Sequence, residues 1–240
     1  MDLDPHPLTI YSDATILVIN KPAGLRTLPD GYDPGIEHVA SVLADQYGQL
    51  WIVHRLDKET SGILVLARTA EAHRALNAQF DQHLVKKTYH AIVDGCPAWH
   101  SKIIQSPLRV NGDRHHRTVV DLRGGKASVT QCRVLEAFSA HALLEIQPKT
   151  GRTHQIRAHL ASIGFPILQD SLYNKTKTPS EMLPIQRLAL HAFALEFTHP
   201  AYNTLMHFTA PYPADFQNCL EHLRQQLSLP KSKKNKSIEE

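Results

Sequence analysis

Val53-His54-Arg55-Leu56-Asp57-Lys58-Glu59-Thr60-Ser61-Gly62 runs without a break into Ile63-Leu64-Val65-Leu66-Ala67. The second half is a short, uninterrupted apolar run, which reads as a buried β-strand. The first half is dense in charged and polar groups, which is unusual for chain leading straight into a core. A charged turn would account for it, but loops held by a rigid scaffold are also where catalytic groups concentrate. The segment therefore places a buried strand and a candidate site side by side.

Working outward from this strand, Thr69 can cap a helix that runs to about His83, with Ala72, Ala75, Leu76 and Phe80 as its apolar set. Upstream, Ile16 to Asn20 reads as a strand ended by Lys21-Pro22, because proline lacks the donor that a ladder needs. Ile36, Val39, Ala40, Leu43 and Tyr47 recur with a helical period. Downstream, Thr88 to Val93, Ala127 to Ala137, Ala142 to Gln147, Leu188 to Phe197 and Thr204 to Thr209 read as strands. Thr153 to Ile163 reads as a helix stopped by Gly164. Pro213 starts a last helix with Phe216, Leu220, Leu223 and Leu227 on one face. Regular strand-helix alternation is missing, so the expected fold class is α+β: a mainly antiparallel mixed sheet with flanking helices and loops. Residues 1–228 are expected to form a single domain, and 229–240, with KSKKNK at 231–236, a basic and disordered tail.

Composition excludes several classes. Hydrophobic residues make up 42% of the 240, enough for a core and too many for a disordered chain. No apolar run approaches the ~18 residues of a membrane span. Met1 to Pro7 is polar and carries Asp2 and Asp4, unlike a secretory signal. Cys96, Cys132 and Cys219 are odd in number and widely spaced, so neither a disulfide framework nor a zinc ribbon is expected, and a reducing cytoplasm fits. The 16 histidines invite a metal site. However, His154 and His159 are five apart rather than four, and His115 and His116 are adjacent, so no metal is expected.

A net charge of +3 says little about nucleic acid, but its distribution says more. Arg109, Arg114, Arg117, Arg123 and Lys126 crowd one stretch around His115 and His116, against only Asp113 and Asp121. Such a stretch is either a solvated hairpin face or a ribbon that tracks phosphates. Thr150-Gly151-Arg152-Thr153-His154-Gln155-Ile156-Arg157 puts two arginines and a histidine at the start of a helix. They would suit phosphate, or a carboxylate brought from elsewhere.

Taken together, these segments resemble the RluA-type pseudouridine synthases. His54-Arg55-Leu56-Asp57 with Ser61-Gly62 is similar to that family's signature loop. Asn20-Lys21-Pro22-Ala23-Gly24-Leu25, Lys86-Lys87-Thr88-Tyr89 and Gly151-Arg152-Thr153-His154-Gln155-Ile156-Arg157 follow in the family's order. Arg187 to Ala192 and His199-Pro200 resemble its closing strands, so the likeness covers about residues 10 to 216. The resemblance implies roles for individual residues. Asp57 stands at the catalytic aspartate, Tyr89 at the tyrosine that packs on the target uracil and Arg157 at the arginine paired with the aspartate. Arg55 stands at the arginine that fills the gap left by a flipped nucleotide. One departure is Gln169, which precedes Asp170 where the family usually has glycine. The chain also begins almost at its first strand, so no separate N-terminal RNA-binding domain is expected and residues 105–126 become candidates for substrate contacts.

The implied reaction breaks the uracil N1 to ribose C1′ bond and rejoins the base through C5. Nothing is oxidised and no group is lost, so no cofactor is expected; one carboxylate can serve as nucleophile. Burial disfavours a charged carboxylate and a nearby arginine restores it, which is the work expected of Arg157. The expected partner is structured RNA, a ribosomal or transfer RNA stem-loop, met by a monomer. Two other readings stay open. A nucleoside or glycoside hydrolase would need a second acid, for which Glu59 is near in sequence. A non-catalytic RNA-binding module would have no need of Asp57, Tyr89 and Arg157 together.

Overall fold

The computed structural model describes residues 9–33, 35–174 and 183–228, so Met1 to Pro7 and the tail expected at 229–240 lie outside it. In chain order the elements are β1 (Thr9–Ser12), β2 (Ile16–Lys21), α1 (Val39–Tyr47), β3 (Trp51–Ile52), β4 (Ser61–Ala67), α2 (Ala70–Asp81) and β5 (Lys86–Asp94). They continue as β6 (Ser101–Ile104), β7 (Leu108–Arg109), β8 (Val119–Val120), β9 (Thr130–Ala137), β10 (His141–Pro148), α3 (Gln155–Ser162), β11 (Leu190–Thr198), β12 (Leu205–Thr209) and α4 (Ala214–Ser228). Ten strands form one sheet whose main path is β1-β2-β4-β11-β5-β10-β9-β6, with β3 on β4 and β12 on β11. The pairings along it are antiparallel except β4 with β11. The α+β class and the mainly antiparallel mixed sheet expected from sequence are what the chain adopts.

Two apolar clusters share this sheet. One packs α1 and α2 on β2 and β4 around Leu43, Leu64, Leu66 and Leu76. The other packs α3 and α4 on β5 and β10 around Ile92, Leu144, Leu160 and Phe216. Tyr89 on β5 touches both. The seam between them is the parallel junction, where His191 pairs with Ser61 and Ala192 with Gly62. Gly62 has φ +117, and a Cβ there would lie 2.2 Å from the Ala192 carbonyl oxygen. Only glycine tolerates that conformation and that approach.

Expectation and structure agree where hydrophobic period and capping point the same way. Thr69 caps α2 by accepting a hydrogen bond from the Ala72 amide. Two helix faces differ from expectation. Ile36 lies ahead of α1 and is exposed, because the chain first bridges Arg26 to His38 before coiling. Leu227, expected on the buried face of α4, is 51% exposed because it lies past Leu223, where α4 leaves the core.

Buried histidines stitch the sheet. Nε2 of His191 donates to the Ala210 carbonyl at 3.2 Å, which leaves Nδ1 to accept from the Ser61 hydroxyl at 2.9 Å. His90 stacks on Phe193 and bonds Tyr212 through Nδ1. Burial pushes both imidazoles down to about 4.

Gly62→Ala should cost about 3 kcal/mol through backbone strain and overpacking, read as a lowered urea midpoint with an unchanged m-value. His90 and His191 titrate near 6.5 when unfolded and near 4 when folded, so the unfolded chain binds more protons between those values. Their contribution is present in full above about pH 6.5 and is lost as pH falls toward 4. Urea midpoints measured from pH 7 to 4 should therefore drop, and more shallowly in a His90→Gln variant.

Candidate active site

A cleft of about 560 Å³ opens at the seam between the two clusters. The loop before β4 supplies His54, Arg55 and Asp57; β5 supplies Lys87 and Tyr89; the start of α3 supplies His154, Ile156 and Arg157; β11 supplies Leu190. Residues 100 positions apart in sequence thus meet: Arg157 Nη1 donates to Asp57 Oδ2 at 3.2 Å. Asp57, Tyr89, Arg157 and Arg55, the four residues singled out from the sequence, all line this cleft.

The tighter partner of Arg157 is one that the sequence does not advertise. Asp170 is 1% exposed and takes Arg157 in a two-point grip, Nε to Oδ2 and Nη2 to Oδ1, each 2.8 Å. Asp170 Oδ1 also accepts from the amides of Leu172 and Tyr173, which fixes the carboxylate from its own turn. Planar two-point pairing fixes the guanidinium plane, so Nη1 is left aimed at Asp57. Burial works against the charge on Arg157, but Asp170 and Asp57 more than offset it, and the net shift is upward. Nothing local in the sequence marks Asp170 as a partner of a residue 13 positions away, since the intervening chain leaves α3 and turns back.

Gln169, just before it, has φ +58, the left-handed region that favours glycine. That explains why glycine suits the position; here the Gln169 amide reaches the Ile185 carbonyl at 3.3 Å.

Tyr173 completes the support. The Arg157 guanidinium lies 5.1 Å from its ring centroid and the Arg117 guanidinium 5.9 Å. Its hydroxyl accepts from the Thr118 amide at 2.8 Å and meets His154 Nδ1 at 3.2 Å. His154 has φ +52 at the start of α3, and its Nε2 lies 3.7 Å from Asp57 Oδ2. Burial lowers its basicity first; the carboxylate of Asp57 opposes that and Arg157 adds to it. Gln155, 4% exposed, ties this turn to the sheet: its Oε1 accepts from Thr150 and the Arg152 amide, and its Nε2 donates to the Val129 carbonyl and Thr130.

On the opposite wall, Nε2 of His54 accepts from the Val65 amide at 3.1 Å and its ring stacks on Phe80. Burial, then Lys87, pushes it down to about 3, so it is a neutral wall. Burial, then Asp57, raises the Tyr89 phenol, which stays protonated. Below the loop, fully buried Lys21 donates to the carbonyls of Pro22, Leu25 and Lys58. Burial pushes it down to about 7, and three carbonyl acceptors suit a full ammonium. Glu59 does not line the cleft; the acids that do are Asp57 and, at the exposed end of α2, Asp81.

The basic stretch forms the β7-β8 ribbon. Arg109 pairs with Asp121 at 2.9 Å and Arg117 with Asp113 at 2.7 Å, while Arg114, His115, His116 and Arg123 are exposed. Thr118 links the ribbon to the site by donating to the Thr153 carbonyl.

Asp170→Asn should leave a largely buried guanidinium half unpaired. We expect a loss of about 3 kcal/mol, read by urea unfolding at pH 7, whereas Asp57→Asn, at the more open end of the same arginine, should lose much less.

Comparison with known proteins converges on one family. A family model described as RNA pseudouridylate synthase matches residues 15–162. The dual-specificity RNA pseudouridine synthase RluA of Escherichia coli O6:H1 is 37% identical over 214 residues, covering 89% of this chain and 95% of that protein. The ribosomal large subunit pseudouridine synthase D of Neisseria meningitidis serogroup A is 36% identical over 248 residues, covering 96% of this chain; the chain spans 66% of that relative's length. Among solved structures, human RNA pseudouridylate synthase domain containing 4 superposes with a TM-score of 0.74 at 28% identity, over 90% of this chain and 92% of that one. With its fold, its cleft and these relatives in agreement, the chain belongs to the RluA-type family of RNA pseudouridine synthases.

Proposed function

We propose that this protein isomerises specific uridines in ribosomal or transfer RNA to pseudouridine, with Asp57 as the nucleophile and the target nucleotide flipped into the cleft. The observation that carries this reading is the Arg157 to Asp57 contact of 3.2 Å in a cleft walled by Tyr89. Attack on the base and attack on the ribose both need one ionised carboxylate next to a single pyrimidine. Arg157 sets a fixed positive charge beside the Asp57 carboxylate, because an arginine stays protonated at any working pH. In the reaction the N1 to C1′ bond breaks, C1′ joins C5, the C5 hydrogen leaves as a proton and N1 ends protonated. The product is an isomer, and no co-reactant is consumed.

Extruding a stacked nucleotide costs a few kcal/mol. Stacking on the uncharged Tyr89 ring returns about 1–3 kcal/mol. Arg55, exposed at the rim, occupies the vacated stack, and the exposed arginines of the β7-β8 ribbon meet phosphates of the stem. No helix among the described residues is long and apolar enough to cross a membrane. A cytoplasmic monomer acting on an RNA stem-loop is part of the same proposal.

Asp57→Asn should abolish pseudouridine formation while leaving RNA affinity nearly unchanged. Arg157→Lys should cut kcat by about 10–100-fold with a small effect on affinity, as loss of a charge-assisted hydrogen bond predicts. Mapping pseudouridine in RNA from cells with and without the gene identifies the uridine. Turnover by the Asp57→Asn variant would overturn the nucleophile assignment, and release of free uracil by the parent protein would replace isomerase with hydrolase.

A further inference from the structure

A second, smaller cavity of about 160 Å³ lies against the cleft. Arg26, Arg55 and Lys58 line it together with Thr27 and Leu56. Arg55 and Leu56 line the main cleft too, so the two cavities share a wall. We infer that this cavity is a phosphodiester subsite, which holds the RNA backbone next to the flipped nucleotide. The inference rests on the function proposed above.

Four hydrogen bonds build the site. Thr27 is 3% exposed, and its hydroxyl donates to the Leu56 carbonyl at 2.9 Å while accepting from the Leu56 amide at 3.2 Å. The Lys58 carbonyl accepts from the Gly24 amide at 2.8 Å and from the buried ammonium of Lys21 at 3.2 Å. The loop after β2 and the loop before β4 are thereby held at fixed spacing, and a preformed site loses little on binding.

The charges around it are one-sided. Three cations line the cavity and no acid does. Arg55 has no ion pair or hydrogen bond to any described residue, and Lys58 has only a loose contact with Glu59 at 4.0 Å. Arg26 is the oriented member. Its Nη1 meets Asp30 at 2.8 Å, and Asp30 is itself held by the amides of Tyr32 and Asp33. Asp30 stays outside the cavity, so it aims the guanidinium without neutralising the interior. Like charges gathered around a small hollow repel one another unless an anion joins them. Arg55 on the shared wall makes the flanking phosphate of a nucleotide in the main cleft the anion that reaches it. A free phosphate would have no reason to sit beside that cleft.

The test compares the parent protein with Arg26→Gln and Lys58→Gln, using a stem-loop RNA that the parent modifies or binds. Each variant should bind RNA about tenfold more weakly at low salt. The slope of log affinity against log salt should shrink by about 0.7 for each phosphate no longer neutralised. Melting temperature and kcat at saturating RNA should match the parent, and Arg26→Lys should restore part of the affinity. Affinity and slope equal to the parent in both variants would overturn the subsite and leave the cations as a solvated face. Inorganic phosphate titrated alone provides the second arm. Binding of phosphate that depends on Arg26, with RNA binding that does not, would assign the cavity to a free anion and also overturn the inference. Arg26-dependent RNA binding by a protein that makes no pseudouridine would support the subsite and sink the catalytic reading instead, so the two failures are separable.

Discussion

The site depends on how one guanidinium is divided between two carboxylates. Asp170 takes Nε and Nη2 of Arg157 in the interior and leaves Nη1 to reach Asp57 at the cleft. A flexible arginine with a single surface carboxylate would spend much of its time elsewhere, because an exposed pair must hold two long side chains in one geometry against entropy. Here the side-chain order is established by a buried pair and used at the exposed end. Because Asp170 is also held by two amides of its own turn, the cost of burying charge is met by a full set of hydrogen bonds. The proposed nucleophile thus faces a cation whose position is set before any RNA arrives.

That order extends to the surface. The Tyr173 ring meets the guanidiniums of both Arg157 and Arg117, and Thr118 joins both the Tyr173 hydroxyl and the Thr153 carbonyl. The ribbon that carries exposed basic side chains is therefore one contact away from the residues around Asp57. RNA held on the ribbon would load the same hydrogen bonds that position His154 and Arg157. On the other side of the cleft, the loop before β4 is held by Lys21, Gly24 and Thr27, so both walls rest on buried polar contacts rather than on apolar packing alone.

The cleft also sits where the sheet changes character. β4 and β11 run parallel while their neighbours run antiparallel, and the two apolar clusters meet there across Tyr89. Close approach at Gly62 and the Ser61 to His191 bond lock the junction. Side chains that leave β5, β11 and the loop before β4 at this seam converge, because neither cluster fills the space between them.

Sequence alone determined the elements whose signals are local. The apolar run at 62–67, the Thr69 cap and the alternating stretch at 88–93 each carry their own period or hydrogen-bonding group. It also marked Asp57, Tyr89, Arg157 and Arg55 as candidates, through motifs that are contiguous in the chain. Tertiary structure alone decided which side chains meet. Asp170 and Tyr173 look like ordinary turn residues until the chain after α3 brings them beside Arg157, and Leu227 looks like core until α4 runs past Leu223, its last residue in the apolar cluster. The difference is physical: backbone propensity and hydrophobic period act over a few residues, whereas the ion pairs that build this site join positions 13 and 100 residues apart and exist only once the sheet has brought them together.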